Sequence, residues 1–118
     1  MDKNFENGCV LVVGGSGGIG SLCAQEFSNS GAKVAITYYK NEQAAIDIAN
    51  GIDSDVQIYQ LDNSSPESVE GTFTKVVKDY GSINTLVNAA GFDIPQKFIS
   101  EIDIDLWKVV IDADINGF

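Results

Sequence analysis

The feature that most constrains this chain is its alternation of short apolar runs with longer segments whose apolar residues recur at helical spacing. Cys9-Val-Leu-Val-Val13 is continuously apolar, as a strand covered on both faces must be. It breaks into glycines, after which Ile19, Leu22, Cys23 and Phe27 repeat at helical spacing up to Gly31. Lys33 to Tyr38 reads as a second strand, Val56 to Leu61 as a third and Ile83 to Val87 as a fourth. Between them, Asn41 is placed to cap a short helix carrying Ala44, Ala45, Ile48 and Ala49 and closed by Gly51. Ser65-Pro66 supplies a cap and first helical position for the stripe Val69, Phe73, Val76, Val77 and Tyr80, which ends at Gly81. A last periodic segment, Leu106 to Ile115, is apolar on most sides and needs cover. Strand–helix alternation of this kind selects an α/β fold of repeated βαβ units with right-handed crossovers. The expected architecture is a doubly wound parallel sheet with helices on both faces and strand order 3-2-1-4. No internal repeat, low-complexity tract or linker divides the 118 residues.

Charge and residue types exclude several functions. Seventeen acidic residues oppose seven basic ones, giving a net charge of -10, and with no Arg and no His every cation is a Lys. Such a chain repels phosphate at long range, which argues against nucleic-acid binding. A His-based nucleophile triad or a His-ligated metal site has no residue to build it. Cys9 and Cys23 form no ligand spacing and read as small core hydrophobes. The polar start and the short first apolar run predict neither a signal peptide nor a membrane span, so a cytoplasmic location is expected. Glu101, Asp103, Asp105, Asp112 and Asp114 invite a metal-site reading. Acidic residues at a helix start equally complement the helix dipole, and no metal is expected.

The strongest chemical signal is Gly14-Gly-Ser-Gly-Gly-Ile-Gly20, which joins the first strand to the first helix. There, bare backbone and the positive end of a helix can hold a pyrophosphate. The run fits two registers, Gly15-x-Gly17-x-x-Gly20, the general Rossmann spacing, and Gly14-x-x-x-Gly18-x-Gly20. A P-loop is excluded because no Gly-Lys-Ser/Thr follows. Both this loop and Asn88-Ala-Ala-Gly91 fall at the carboxyl ends of the strands, where the winding direction reverses between strands 1 and 4.

With Ile19 between Gly18 and Gly20, the second register resembles the Thr-Gly-x-x-x-Gly-Ile-Gly loop of short-chain dehydrogenases/reductases. Leu86-Val-Asn-Ala-Ala-Gly91 resembles the Asn-Asn-Ala-Gly motif of that family, and Leu61-Asp62 resembles its Asp after the third strand. Gly31-Ala-Lys-Val, Tyr38, Asn41-Glu-Gln and Trp107 ahead of Asp114 look like the 3-oxoacyl-acyl-carrier-protein reductase branch. The resemblance runs from Gly8 to Phe118. It implies that Gly14, Ser16, Gly17, Gly18, Ile19 and Gly20 surround the pyrophosphate and adjoining ribose, and that Asp62 and Asn63 hold the adenine. Asn88, Ala89, Ala90 and Gly91 would line the side near the nicotinamide ribose, although Asn88 reads equally well as a buried side chain bonding main-chain groups.

The end of the second strand bears on cofactor choice. An NAD enzyme usually places Asp or Glu there to accept from the ribose 2′-hydroxyl. This chain has Tyr38-Tyr39-Lys40-Asn41, with no carboxylate to repel a 2′-phosphate and with Lys40 as a positive charge. NADP is the favoured cofactor and NAD the alternative.

The family's chemistry is hydride transfer on a carbonyl/alcohol pair, with a Tyr acid/base, a Lys four residues later and a Ser binding the substrate oxygen. None of the four tyrosines qualifies, because Tyr38 meets Glu42, Tyr39 meets Gln43, Tyr59 meets Asn63 and Tyr80 meets Asn84. The chain is therefore expected to be the cofactor-binding first part, residues 1–118, of a larger single domain, not competent on its own. Three departures stand out: Val13 replaces the family's Thr before the loop, Gly17 replaces a basic residue, and Asp114 replaces an Asn linked to a proton relay. They keep open the rival reading of a non-catalytic dinucleotide-binding module. The resemblance also implies a small carbonyl or alcohol substrate, acyl-carrier-protein-linked in the 3-oxoacyl branch that serves fatty acid biosynthesis. Homodimers or homotetramers are common in the family, and neither nucleic acid nor membrane is an expected partner.

Overall fold

The computed structural model describes residues 7–90 and 104–112. The elements in chain order are β1 (Cys9–Val13), α1 (Gly18–Asn29), β2 (Val34–Tyr38), α2 (Glu42–Gly51), β3 (Gln57–Gln60), α3 (Pro66–Tyr80), β4 (Ile83–Asn88) and α4 (Ile104–Ile111). All neighbouring strands run parallel, in the order β3-β2-β1-β4 that the strand–helix alternation predicts.

The apolar continuity of β1 has a direct structural reason, since successive side chains of a strand point to opposite faces and both faces here are covered. Val10 and Val12 pack with Ala24 of α1, Ala45 of α2 and Val34 and Ile36 of β2. Cys9, Leu11 and Val13 pack on the other face with Ala35, Leu61 and Val76, flanked by Val69 and Phe73 of α3. Full burial of a side chain such as Leu11 contributes about 1.5–3 kcal/mol. Cys9 sits in this core and burial pushes its thiol up to about 11, so it is a protonated, inert hydrophobe at neutral pH.

Local chemistry sets the helix ends. Asn41 Oδ1 accepts from the Ala44 N–H at 3.0 Å and caps α2, and Ser65 Oγ accepts from the Ser68 N–H at 3.2 Å and caps α3, with Pro66 leading the helix. Gly81 takes φ 88° where α3 ends and Gly31 takes φ 91° just past α1, a left-handed conformation that glycine adopts without a side-chain clash. Gly51 behaves differently, being the last helical residue of α2, with Ile52 turning the chain out in extended conformation.

Helix α1 seats half of the apolar stripe that its spacing marks: Cys23 and Phe27 pack against the core, and Ile19 and Leu22 do not. Gly20 and Ala24 are buried, whereas Ile19 and Leu22 are 76% and 69% exposed. Small residues allow closer approach of helix to sheet, and a helix advances about 100° per residue, so seating Gly20 and Ala24 turns Ile19 and Leu22 outward. Strand β4 is an edge of the sheet with Leu86 exposed, and α4 leaves Ile104, Trp107 and Val109 in solvent, the uncovered apolar surface expected of this segment. The described helix spans Ile104–Ile111, beginning ahead of Leu106, and Asp112 is the last described residue there. No helix among the described residues is long and apolar enough to cross a membrane.

Candidate functional site

The glycine loop is held by contacts that only particular residues permit. Gly14 has φ 77°, and a Cβ there would stand 2.8 Å from the Ala90 Cα and amide nitrogen. Its N–H donates to the buried Thr37 hydroxyl at 3.1 Å, and its carbonyl accepts from the Gly17 N–H at 3.1 Å. A Cβ at Gly20 would overlap that same carbonyl oxygen, so the first turn of α1 rests directly on the loop. On the other side, the Ala89 N–H donates to the Val13 carbonyl at 2.8 Å, which fastens the segment after β4 against the loop. Thr37 therefore supplies from β2 the hydroxyl that Val13 does not offer at the head of the loop.

The helix behind this loop begins unlike its neighbours. Gly17 occupies the cap of α1 without a side-chain hydrogen bond, and no acidic residue stands in the first turn. Helices α2 and α3 have a side-chain cap and an acid there, Glu42 and Glu67 respectively. The first amides of an α-helix lack intrahelical partners and carry the positive end of its dipole. At α1 that end is left without a counter-charge from its own first turn.

A cleft of about 410 Å³ opens at the carboxyl ends of the strands in front of this helix. Gly14, Ser16 and Gly17 form one wall, and Thr37, Tyr38, Tyr39 and Lys40 reach it from the end of β2. Asp62, Asn63 and Ser64 follow β3, Ala89 and Ala90 follow β4, and Val109 and Asp112 close it from α4. Nine residues singled out in the sequence thus meet here: Gly14, Ser16, Gly17, Tyr38, Lys40, Asp62, Asn63, Ala89 and Ala90. Gly18, Ile19 and Gly20 lie in the first turn of α1 and do not line the cleft; Ile19 joins Leu22, Cys23 and Phe27 in a shallow apolar groove on the helix surface. Asn88 turns inward, its Oδ1 accepting from the Ala90 N–H at 3.2 Å, so it shapes its own turn. Gly91 and Asp114 lie outside the described residues.

Local bonds fix several lining groups. Asp62 Oδ1 accepts from the Ser64 N–H at 3.1 Å and the Ser64 hydroxyl at 2.7 Å, a turn closed by its own side chain. The Asp62 N–H donates to Ser68 Oγ at 3.0 Å, which ties this turn to α3. The Tyr38 hydroxyl donates to Glu42 Oε2 at 3.1 Å, and desolvation with that carboxylate holds its phenol above the ordinary range. Lys40 Nζ stands 5.2 Å from the centroid of the Tyr39 ring. Burial raises Tyr59, helped by its 2.6 Å bond to Asp79 Oδ2, and pushes Tyr80 up to about 12. These three phenols stay protonated at neutral pH, so none is poised to shuttle a proton. A larger hollow of about 590 Å³ between β3 and α3 shares Tyr39 and Asp62 with the cleft but lacks the glycine loop.

Sequence reasoning assigned none of Thr37, Tyr39, Val109 and Asp112 to the cleft, naming Tyr39 only as a neighbour of Lys40 and Asp112 only within an acidic cluster. The only signal Thr37 carried was to be the one aliphatic hydroxyl of β2, next to its end at Tyr38, and that reads equally as an ordinary β-branched strand residue. The two α4 residues come into the cleft through tertiary placement.

A glycine-cradled helix start facing a crevice at the strand ends of a doubly wound sheet defines the Rossmann-type class. The family model described as short chain dehydrogenase matches residues 8–118, and the chain belongs to the short-chain dehydrogenase family. It is 35% identical over 107 residues to an acetoacetyl-CoA reductase from Shinella zoogloeoides, covering 91% of this chain and 43% of that protein. To a sorbose reductase from Candida albicans it is 33% identical, covering 90% and 39%. A short-chain dehydrogenase from Burkholderia cenocepacia, solved in complex with NADP, superposes with TM-score 0.85 at 27% identity, covering 98% of this chain and 48% of that one. A Serratia marcescens short-chain dehydrogenase/reductase shares the fold at TM-score 0.84 and 22% identity, over 97% and 47%. The chain thus spans under half the length of these four proteins.

Proposed function

We propose that this chain supplies the dinucleotide-binding part of an NADP-dependent oxidoreductase that interconverts a carbonyl and an alcohol. The observation that carries the reading is the start of α1, where a glycine cradle leaves a helix N-terminus without side-chain cap or first-turn acid. The residues present fit such a cofactor, because the backbone at Gly17 and Gly18 is bare and its Cβ directions are uncrowded, while Gly14 and Gly20 let the loop pack tightly against Ala90 and its own backbone. Amides of Ser16 and the first turn, Gly18 to Gly20, would hold the pyrophosphate, and Gly17, whose N–H is engaged by the Gly14 carbonyl, would give it room to approach. Asp62 and Asn63 would meet the adenine, and Ala89, Ala90 and Gly91 the nicotinamide side, with Asn88 shaping that turn.

Preference for the 2′-phosphate rests on the end of β2. Lys40 lines the cleft there, and the nearest carboxylate in sequence, Glu42, is engaged by the Tyr38 hydroxyl and is not a lining residue. When bound, the nicotinamide ring supplies the hydride; the chain's own groups bind and orient it. The identity to an acetoacetyl-CoA reductase supports a 3-oxoacyl thioester as substrate, which is the 3-oxoacyl-acyl-carrier-protein reductase-like reading. In this proposal residues 1–118 are the first part of one larger domain, and Asp114 would face the proton-relay position of the family. Calorimetric titration with NADPH and NADH tests the reading: tighter binding of NADPH is expected, and a folded chain that binds neither overturns it.

A further inference from the structure

We infer that Tyr39 is a positioning residue for cofactor selectivity, an inference that rests on the dinucleotide reading above. The ammonium of Lys40 lies 5.2 Å from the centroid of the Tyr39 ring, within the range of a cation–π contact, and both residues line the cleft at the end of β2. The ring is thus a contact that holds this charge at the cleft. Tyr39 is itself fixed from below, since its carbonyl accepts from Gln60 Nε2 of the edge strand β3 at 3.3 Å.

A lysine is a flexible point charge, and ordering its four-carbon stem opposes binding by roughly 0.5–1.5 kcal/mol, a factor of about two to ten in affinity. A ring that already holds the ammonium at the mouth of the cleft removes part of that cost. With the ammonium 5.2 Å from the ring centroid, its N–H groups are available for a ribose 2′-phosphate to accept from in the cleft that both residues line. Tyr39 thus raises affinity for the 2′-phosphorylated dinucleotide more than for the unphosphorylated one. The ring, and not the hydroxyl, carries the effect.

The test compares binding of NADP+ and NAD+, which differ only in the 2′-phosphate, to the chain and to Lys40→Gln, Tyr39→Leu and Tyr39→Phe. Lys40→Gln should lower the NADP+/NAD+ affinity ratio by about tenfold or more, the worth of one charge-assisted bond. Tyr39→Leu should lower it about two- to fivefold, NADP+ affinity falling more than NAD+ affinity, and Tyr39→Phe should retain it. An unchanged ratio in Tyr39→Leu, or an equal loss in Tyr39→Phe, overturns the role of the ring. Tyr39 is 53% exposed, so its truncation opens no core cavity, and an equal fall in both affinities would mark a merely structural role and likewise overturn the inference. No effect of Lys40→Gln, or no binding of either dinucleotide, overturns the underlying reading instead.

Discussion

The N–H of Gly14 and the hydroxyl of Thr37 meet at 3.1 Å across 23 positions of sequence, and this one bond links the glycine loop to the middle of the sheet. Thr37 is buried, so its removal leaves a backbone donor in a place where water does not readily replace it. Thr37→Val, equal in shape but without the hydroxyl, should cost about 1–3 kcal/mol in urea unfolding. Thr37→Ser should recover most of it. Equal stability of Thr37→Val and the natural chain would show that the loop is fixed by its glycines alone.

The glycines of the chain divide into those that need the absence of a side chain and those that do not. Gly14→Ala meets a left-handed φ of 77° and the backbone of Ala90, and should cost more than about 3 kcal/mol. Gly20→Ala should cost about 1–3 kcal/mol through its clash with the Gly14 carbonyl. Gly71, within α3, has open space around its Cβ direction, and Gly71→Ala should stabilise by about 0.5–1 kcal/mol. Thermal melts of the three variants rank them; a destabilised Gly71→Ala would contradict the packing described for α3.

Stability should fall on the alkaline side because of Cys9. Its thiol is raised from 9.0 to about 11 by burial, so above pH 9 the unfolded chain releases a proton that the folded chain retains. The stabilising contribution is complete below pH 9 and is lost as pH rises through 11, a decline of up to about 3 kcal/mol. Tyr80, pushed up to about 12, adds a further loss at still higher pH. Cys9→Ala should flatten the decline between pH 9 and 11 in denaturant titrations, and an unaltered slope would assign it to other groups.

The elements that local chemistry dictates were legible in the sequence, and those that depend on rotation or tertiary placement were not. Asn41, Ser65-Pro66 and Gly81 act within a few residues of themselves, and each does in the structure what its type implies. The alternation of β1 with helical stripes fixed the strand order for the same reason. Helix α1 differs: its periodicity marks Ile19, Leu22, Cys23 and Phe27, of which Cys23 and Phe27 pack against the core, while Gly20 and Ala24, too small to register as apolar markers, take the fully buried places and turn Ile19 and Leu22 out. In the cleft, glycines and polar turn residues announced themselves by type, while Thr37 read as an ordinary β-branched strand residue. Val109 and Asp112 reach the cleft only because α4 lies across it, which no spacing within the helix encodes.

The two-sided burial of β1 has a dynamic consequence. Val10 and Val12 anchor the layer of α1 and α2, and Cys9, Leu11 and Val13 anchor the layer of α3, so neither layer can peel away without wetting the strand that holds the other. Partial opening that spares one side is thereby disfavoured, and the amides of β1 exchange with solvent only when the whole chain opens. Five consecutive residues make the two helical layers a single cooperative unit.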